Sequence, residues 1–272
     1  MAKTIFITGA SRGFGRIWTE AFLRRGDNVV AAVRTPEALA ELKQEFSSNL
    51  LVVKLDVIDR IGSFEAVENA KGHFGRIDVL INNAGFGHVG AVEELNEKDV
   101  RAQFETNVLG SLWMMQAILP VMRGQKSGHI IQLSSALGIN TVPLMGLYSA
   151  AKFAVEGLTE TLAGEVSGFG IKVTIVEPGG FSTDFFGNNS LALSSTISDY
   201  DTIRKDFYEH AEDQDSGNPS ATVPAIFSLV DAENPPLRLL LGKNTFAWVQ
   251  HTYSERLKTW ESWQDVSVEA HG

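Results

Sequence analysis

The sequence predicts a doubly wound α/β fold, a single parallel sheet with helices on both faces. Three observations carry that prediction. Seven short apolar runs recur along the chain, "KTIFIT", "NVVAAV", "LLVVKLDV", "DVLINN", "HIIQLS", "KVTIVEP" and "LRLLLG". Their near-continuous hydrophobicity suits strands buried on both faces. Helix-length amphipathic stretches separate them, the pattern of parallel βαβ units. A glycine-rich turn, "TGASRGFG", follows the first run directly.

Bulk composition narrows the function classes. A chain of 272 residues with 44% hydrophobic content can bury a large core. A formal charge of −10, without clustered Lys and Arg, excludes a nucleic-acid surface. The absence of cysteine removes disulfides, thiolate catalysis and zinc-thiolate sites together. The six histidines lack any paired spacing that would bind a metal. The opening "MAKTIFITGAS" is too short for a signal sequence, and no stretch reaches membrane-spanning length, so a cytoplasmic protein is expected. The triplet "NNS" at Asn188 matches a glycosylation acceptor, which has no consequence in that compartment. With no repeat and no linker, residues 1–272 are expected to form one domain.

After the first strand, Gly9, Gly13 and Gly15 enclose Ser11, Arg12 and Phe14, and a helix-compatible run begins at Arg16. Glycines there let the backbone approach a pyrophosphate, and the next helix offers free N–H groups and a positive dipole end. The second strand ends "AAVRT", with Val33 neutral and Arg34 basic. A carboxylate at this point would meet a free ribose hydroxyl, whereas a 2′-phosphate prefers arginine. Arg34, with Arg12 in reach, suits a phosphate dianion, so NADP(H) is expected over NAD(H).

From Val100, positions Phe104, Val108, Ser111, Met115, Ile118 and Met122 step by three or four, as one helix face requires. A second helix begins near Tyr148 and carries Val155, Leu158, Leu162 and Val166 until "GFG" ends it. Either face suits packing on the sheet or on another subunit. Within "YSAAK", Tyr148 and Lys152 fall on one helix face, a turn apart. An ammonium near a phenol favours the phenolate and lowers a pKa that is normally about 10. From Phe181 to about Pro219 the rhythm breaks, and an insert of that length suits a lid or a surface loop. The tail "YSERLKTWESWQ" reads as a terminal helix with Trp260 and Trp263 as packing anchors.

Taken together, "TGASRGFG", "NNAG" (Asn82 to Gly85), "SSALG" (Ser134 to Gly138), "YSAAK" and "EPGG" (Glu177 to Gly180) resemble the short-chain dehydrogenase/reductase family. The likeness runs from Lys3 to about Lys243 in the family's order. "VRTPEAL" and "LRLLLG" with its terminal helix look most like the branch of 17β-hydroxysteroid and retinol dehydrogenases and bacterial carbonyl reductases. The resemblance implies a seven-stranded Rossmann fold with its site beyond the carboxyl ends of the strands.

It also implies a catalytic set of Tyr148, Lys152, Asn107 and Ser135, the last lying thirteen residues before the tyrosine. Asp56 and Val57 in "LDV" would meet the adenine edge, while Asn83, Ala84 and Gly85 would support the adenine ring. Pro178, Gly179 and Thr183 would lie on the nicotinamide side. Tyr148 would donate a proton and Ser135 a hydrogen bond to a carbonyl oxygen, while Asn107 would order a relay water.

The substrate pocket is expected from Phe86, Gly87 and His88, from Leu137, Leu144 and Met145, and from Phe181 to Ser198. Its apolar character favours a neutral hydrophobic ketone, aldehyde or secondary alcohol. Relatives pair the two long helices into dimers and often tetramers, so a homodimer or homotetramer is expected. An NAD-dependent alcohol dehydrogenase and a non-catalytic dinucleotide sensor remain alternatives. A sugar-nucleotide epimerase would want a larger C-terminal substrate region than follows Thr183.

Overall fold

The computed structural model describes residues 2–183, 191–212 and 215–272. In chain order the strands are β1 (Thr4–Thr8), β2 (Asn28–Val33), β3 (Leu50–Lys54), β4 (Val79–Asn82), β5 (Gly87–Val89), β6 (Gly128–Leu133), β7 (Ile171–Pro178), β8 (Leu191–Leu193) and β9 (Arg238–Leu241). Seven of them make one sheet, ordered β3-β2-β1-β4-β6-β7-β9, and every pairing in it is parallel. All seven sequence-derived runs are therefore strands of the same sheet. β5 and β8 form a separate parallel pair.

The helices are α1 (Gly13–Arg25), α2 (Ala40–Glu45), α3 (Arg60–Phe74), α4 (Glu97–Phe104), α5 (Gly110–Gln125), α6 (Gly146–Val166), α7 (Asp201–Glu212), α8 (Val223–Asp231), α9 (Thr245–Ser262) and α10 (Gln264–Glu269). Strand side chains alternate between two cores, as a two-residue period requires. Phe6, Val30, Leu80 and Ile130 face Val67 of α3, Met114 and Ile118 of α5, and Leu162 and Val166 of α6. Ile5, Ile7, Val29 and Ile81 face the opposite layer, where Trp18 and Phe22 of α1 meet Ile226 and Leu229 of α8. The chain runs outward from β1 to β3, then crosses to β4 on the other side of β1. The order thus reverses between β1 and β4, and ligands of open α/β sheets bind outside the strand carboxyl ends at such a point.

Three expectations need correction. The single helix read from Val100 is α4 and α5 joined by a π turn, Glu105–Leu109. The extra residue of the wider turn splits the face: Met115, Ile118 and Met122 pack on the sheet, while Val108 packs on Ala151 and Val155 of α6. On α6, Val155, Leu162 and Val166 are buried, but Leu158 is 38% exposed. At 3.6 residues per turn Leu158 sits well to one side of the line through the other three. Trp260 and Trp263 are 59% and 64% exposed and do not anchor the tail. α9 is held instead at its start, by buried Val249 and by Thr245 Oγ1 donating to the Leu241 carbonyl, and at mid-length by Arg256 donating to the Ile139 carbonyl. The Asn188 triplet lies outside the described residues.

Candidate active site

The glycine turn leaves β1 at the switch point. Gly9 and Gly13 have φ of +67° and +53°, left-handed values that side chains rarely adopt. A Cβ at Gly9 would stand 2.9 Å from Ala84 Cα, and one at Gly15 would stand 2.4 Å from the Gly9 carbonyl oxygen. The turn is therefore packed directly on "NNAG". Asn83 Nδ2 donates to the carbonyls of Thr8 and Gly9 at 2.9 and 3.1 Å, while Thr8 Oγ1 accepts from the backbone N–H groups of Asn83 and Ala84, both at 3.0 Å. Asn82 Nδ2 reaches the Ser111 carbonyl and ties β4 to α5.

Gly13 looks outward, its nearest neighbour being Thr183 Cβ at 3.9 Å from an added Cβ. The Ncap of α1, Arg12, makes no side-chain capping hydrogen bond to its helix. The start of the helix borders a cavity of about 320 Å³ lined by Ser11, Arg12, Gly13, Arg16, Ser182 and Thr183. A helix N-terminus, a glycine with room beside it and two arginines fit a dinucleotide's phosphates. Arg34 is exposed just past Val33, with no ion-pair partner among the described residues. Asp56 Oδ1 accepts weakly from Ile58 N–H at 3.4 Å, and Val57 is buried where a Cβ on Gly110 would touch it. Phe14 stacks on Trp18 and meets Phe181 edge-on. Phe181 thus packs on the first turn of α1, and residues 184–190 of the expected pocket segment lie outside the described residues.

The four expected catalytic residues come from three places. The π turn carries Asn107, whose Oδ1 accepts from Phe86 N–H at 3.1 Å while Nδ2 donates to the Phe86 carbonyl at 2.9 Å. Asn107 thereby pins the loop after β4, with Gly85 close against its Oδ1. Ser135, just past β6, accepts from Leu137 N–H at 3.1 Å and shares a hydrogen bond with Tyr148. Tyr148 and Lys152 sit one turn apart on α6, both buried, with Nζ 5.6 Å from the phenol ring centre. Lys152 Nζ donates to the Leu133 carbonyl at 2.8 Å.

Electrostatics at this set differ from expectation. Burial pushes the Tyr148 phenol above its ordinary value, and the Ser135 hydrogen bond only partly opposes it. The sequence expected a lowered phenol; in the buried site desolvation is the larger effect. Burial also pushes Lys152 down to about 8, against the raising effect of Glu156.

Above the set, Tyr148 joins Val89, Leu144 and Met145 in an apolar cluster, against which Leu137, Leu191, Tyr200 and Phe207 pack. Leu144 adopts φ +67° there, and Gly90 N–H donates to its carbonyl. β5 and β8 bring the roof down over the cluster, with His88 Nε2 2.7 Å from Ser194 Oγ and burial holding the His88 pKa below its usual value. Glu94, its side chain fully buried, accepts from Ala91 N–H, Ile197 N–H and Arg204 Nη2 at 2.8, 2.7 and 2.6 Å. At the neighbouring edge, Pro178 ends β7 and Gly179 N–H donates to the Leu241 carbonyl at 2.8 Å.

Comparison with known proteins agrees with this geometry. The profile of the short chain dehydrogenase family matches residues 3–193. The chain belongs to that family. This short-chain dehydrogenase is 39% identical over 243 residues to a 3-ketodihydrosphingosine reductase of Bacteroides thetaiotaomicron, covering 88% of each chain. A crystal structure of a short-chain dehydrogenase from Streptomyces avermitilis superposes with a TM-score of 0.93 at 36% identity, covering 99% of both chains. A short-chain dehydrogenase from Burkholderia cenocepacia, solved in complex with NADP, gives a TM-score of 0.77 at 25% identity, covering 96% of this chain and 97% of that one. Sequence reasoning missed Thr8, Glu94 and Arg204, whose hydrogen-bond partners lie far away along the chain.

Proposed function

We propose that this oxidoreductase is an NADP(H)-dependent carbonyl reductase that reversibly converts a hydrophobic ketone or aldehyde into an alcohol. The observation that carries the reading is the Ser135, Tyr148 and Lys152 set enclosed by an apolar cluster at the strand carboxyl ends. Gly9, Gly13 and Gly15 with the α1 N–H groups would hold the pyrophosphate, and Arg12 and Arg34 the 2′-phosphate. Asp56 and Asn83 to Gly85 would flank the adenosine, while Pro178, Gly179 and Thr183 would border the nicotinamide. When bound, NADPH supplies the hydride. A relative named a 3-ketodihydrosphingosine reductase at 39% identity and a relative solved with NADP favour this reaction class and cofactor.

The chain's own groups handle the oxygen. Ser135 Oγ hydrogen-bonds the carbonyl oxygen as its charge grows, and Tyr148 Oη delivers the proton. The Lys152 ammonium favours the phenolate that remains and can hold ribose hydroxyls. Asn107 fixes the floor of the pocket through Phe86. The roof formed by Val89, Leu191, Tyr200 and Phe207 excludes water and selects apolar substrates. Because Lys152 titrates at about 8, reduction is expected to fall as pH rises through that value.

No described helix is long and apolar enough to cross a membrane, and the cysteine-free chain suits the cytoplasm. Phe153 and Leu158, exposed on α6, suit a homodimer or homotetramer contact; a monomeric mass by light scattering would overturn that part. The primary test is NADPH consumption, with NADH in parallel, across hydrophobic ketones and aldehydes. Tyr148→Phe should lower turnover by about 10²–10⁴-fold with NADPH binding intact. A mutant retaining most activity would remove Tyr148 as donor, and tighter NADH binding would reverse the cofactor preference.

A further inference from the structure

A buried acid pair lies behind Lys152. Glu156 stands one turn further along α6, and Glu177 is the residue of β7 before Pro178. Their side chains are 6% and 1% exposed. Both engage Nη1 of Arg238 from β9, Glu177 at 2.5 Å, while Nη2 meets the exposed Glu160 at 2.7 Å. Glu156 Oε1, Glu177 Oε2 and Ser134 Oγ are buried without a donor to them among the other described residues. Ser134 Oγ and Glu156 Oε1 also crowd Gly138, at 2.5 and 2.6 Å from an added Cβ. Two buried carboxyl groups that share one guanidinium and bond each other are a poor way to stabilise a fold. The catalytic helix places Glu156 four residues after Lys152.

We propose that Glu156, clamped with Glu177 on Arg238, is a positioning residue that keeps the Lys152 ammonium charged and directed at the Leu133 carbonyl. It thereby sets the pH range in which Tyr148 can deliver its proton; this last clause rests on the reductase reading. The charged groups facing Glu156 are Lys152 and Glu160 on its own helix, Glu177 from β7 and Arg238 from β9. Burial, then the charge of Glu156, pushes the Glu177 carboxyl up to about 7. As pH rises through that value Glu177 gains a negative charge beside Arg238, in the range where Lys152 would start to lose its proton, so the ammonium is reinforced.

The test follows the Lys152 titration by NMR of ε-¹³C-lysine-labelled protein without cofactor, with Lys152→Met giving the assignment. Glu156→Gln is expected to lower the midpoint by about one unit, and to make NADPH-dependent carbonyl reduction fall progressively with pH, to about tenfold below wild type on the alkaline side. An unmoved midpoint overturns the proposal, as does a rate loss uniform across pH. Should Glu156→Gln not fold, Glu177→Gln keeps the Glu156–Arg238 pair and removes the second charge. A lower midpoint in that variant supports the proposal and an unchanged one overturns it. A shifted titration in a protein that reduces no carbonyl would sink the reductase reading and leave the charge coupling standing.

Discussion

At the scale of single residues, the site depends on groups that hold other groups. Thr8 Oγ1 serves two backbone N–H donors, so Thr8→Val leaves both unpaired at a cost of about 1–3 kcal/mol each. The expected result is a lower thermal midpoint and weaker NADPH binding, with Thr8→Ser restoring both; unchanged binding in the valine variant would count against this role. The glycines of the turn and the Tyr148–Lys152 pair could be picked out by residue type and spacing and Ser135 by the family resemblance, and the structure brings Ser135, Tyr148 and Lys152 together. Thr8 and Glu156 could not, since their partners lie on other strands and only the folded chain brings them within bonding distance. The contact of Phe181 with Phe14 was hidden for a related reason: its neighbourhood in the chain says nothing about the ring against which it packs.

Elements show the same division. The main-sheet strands were legible because burial on both faces leaves long apolar runs, whereas β5 and β8 are three residues each and exist only through one another. The π turn was invisible because apolar positions continue at steps of three and four on both sides of it, although the wider turn splits the face they form. The docking of α7 likewise depends on a long-range contact, Glu94 with Arg204 and Ile197 N–H. Glu94→Gln is therefore expected to speed amide exchange across residues 197–207 and raise KM for bulky ketones more than it lowers kcat; unchanged exchange would remove Glu94 as the tie. At the end of α5, exposed Lys126 adopts φ +54°, a left-handed cap that glycine takes without strain. Lys126→Gly should stabilise the protein by about 0.5–1 kcal/mol in urea unfolding, and a destabilised variant would refute the cap reading.

Over the whole molecule, pH dependence of stability combines two buried groups with opposite signs. His129 on β6 is pushed down to about 3, by burial first and then by Lys172 and Lys3, and its Nε2 lies 2.9 Å from Thr174 Oγ1. Its folded value lies below the ordinary 6.5, so its contribution is present above 6.5 and is lost as pH falls toward 3. Glu177, raised from 4.5 to about 7, does the reverse and weakens the fold as pH rises between those values. The two oppose each other between 4.5 and 6.5, leaving the His129 loss alone below 4.5. Denaturation midpoints should therefore change little in the upper window and fall steeply below it, and His129→Gln should flatten the fall; equal slopes in both proteins would refute the assignment. The exposed tryptophans on α9 and just after it also govern how the molecule can be watched. Of five tryptophans, Trp18 is buried beneath the glycine turn with Nε1 donating to Thr222, whereas Trp248, Trp260 and Trp263 are 36%, 59% and 64% exposed. Intrinsic fluorescence will accordingly be dominated by indoles already in water, whose emission barely shifts on unfolding. A variant retaining Trp18 alone would turn the same signal into a direct optical reporter of the nucleotide turn.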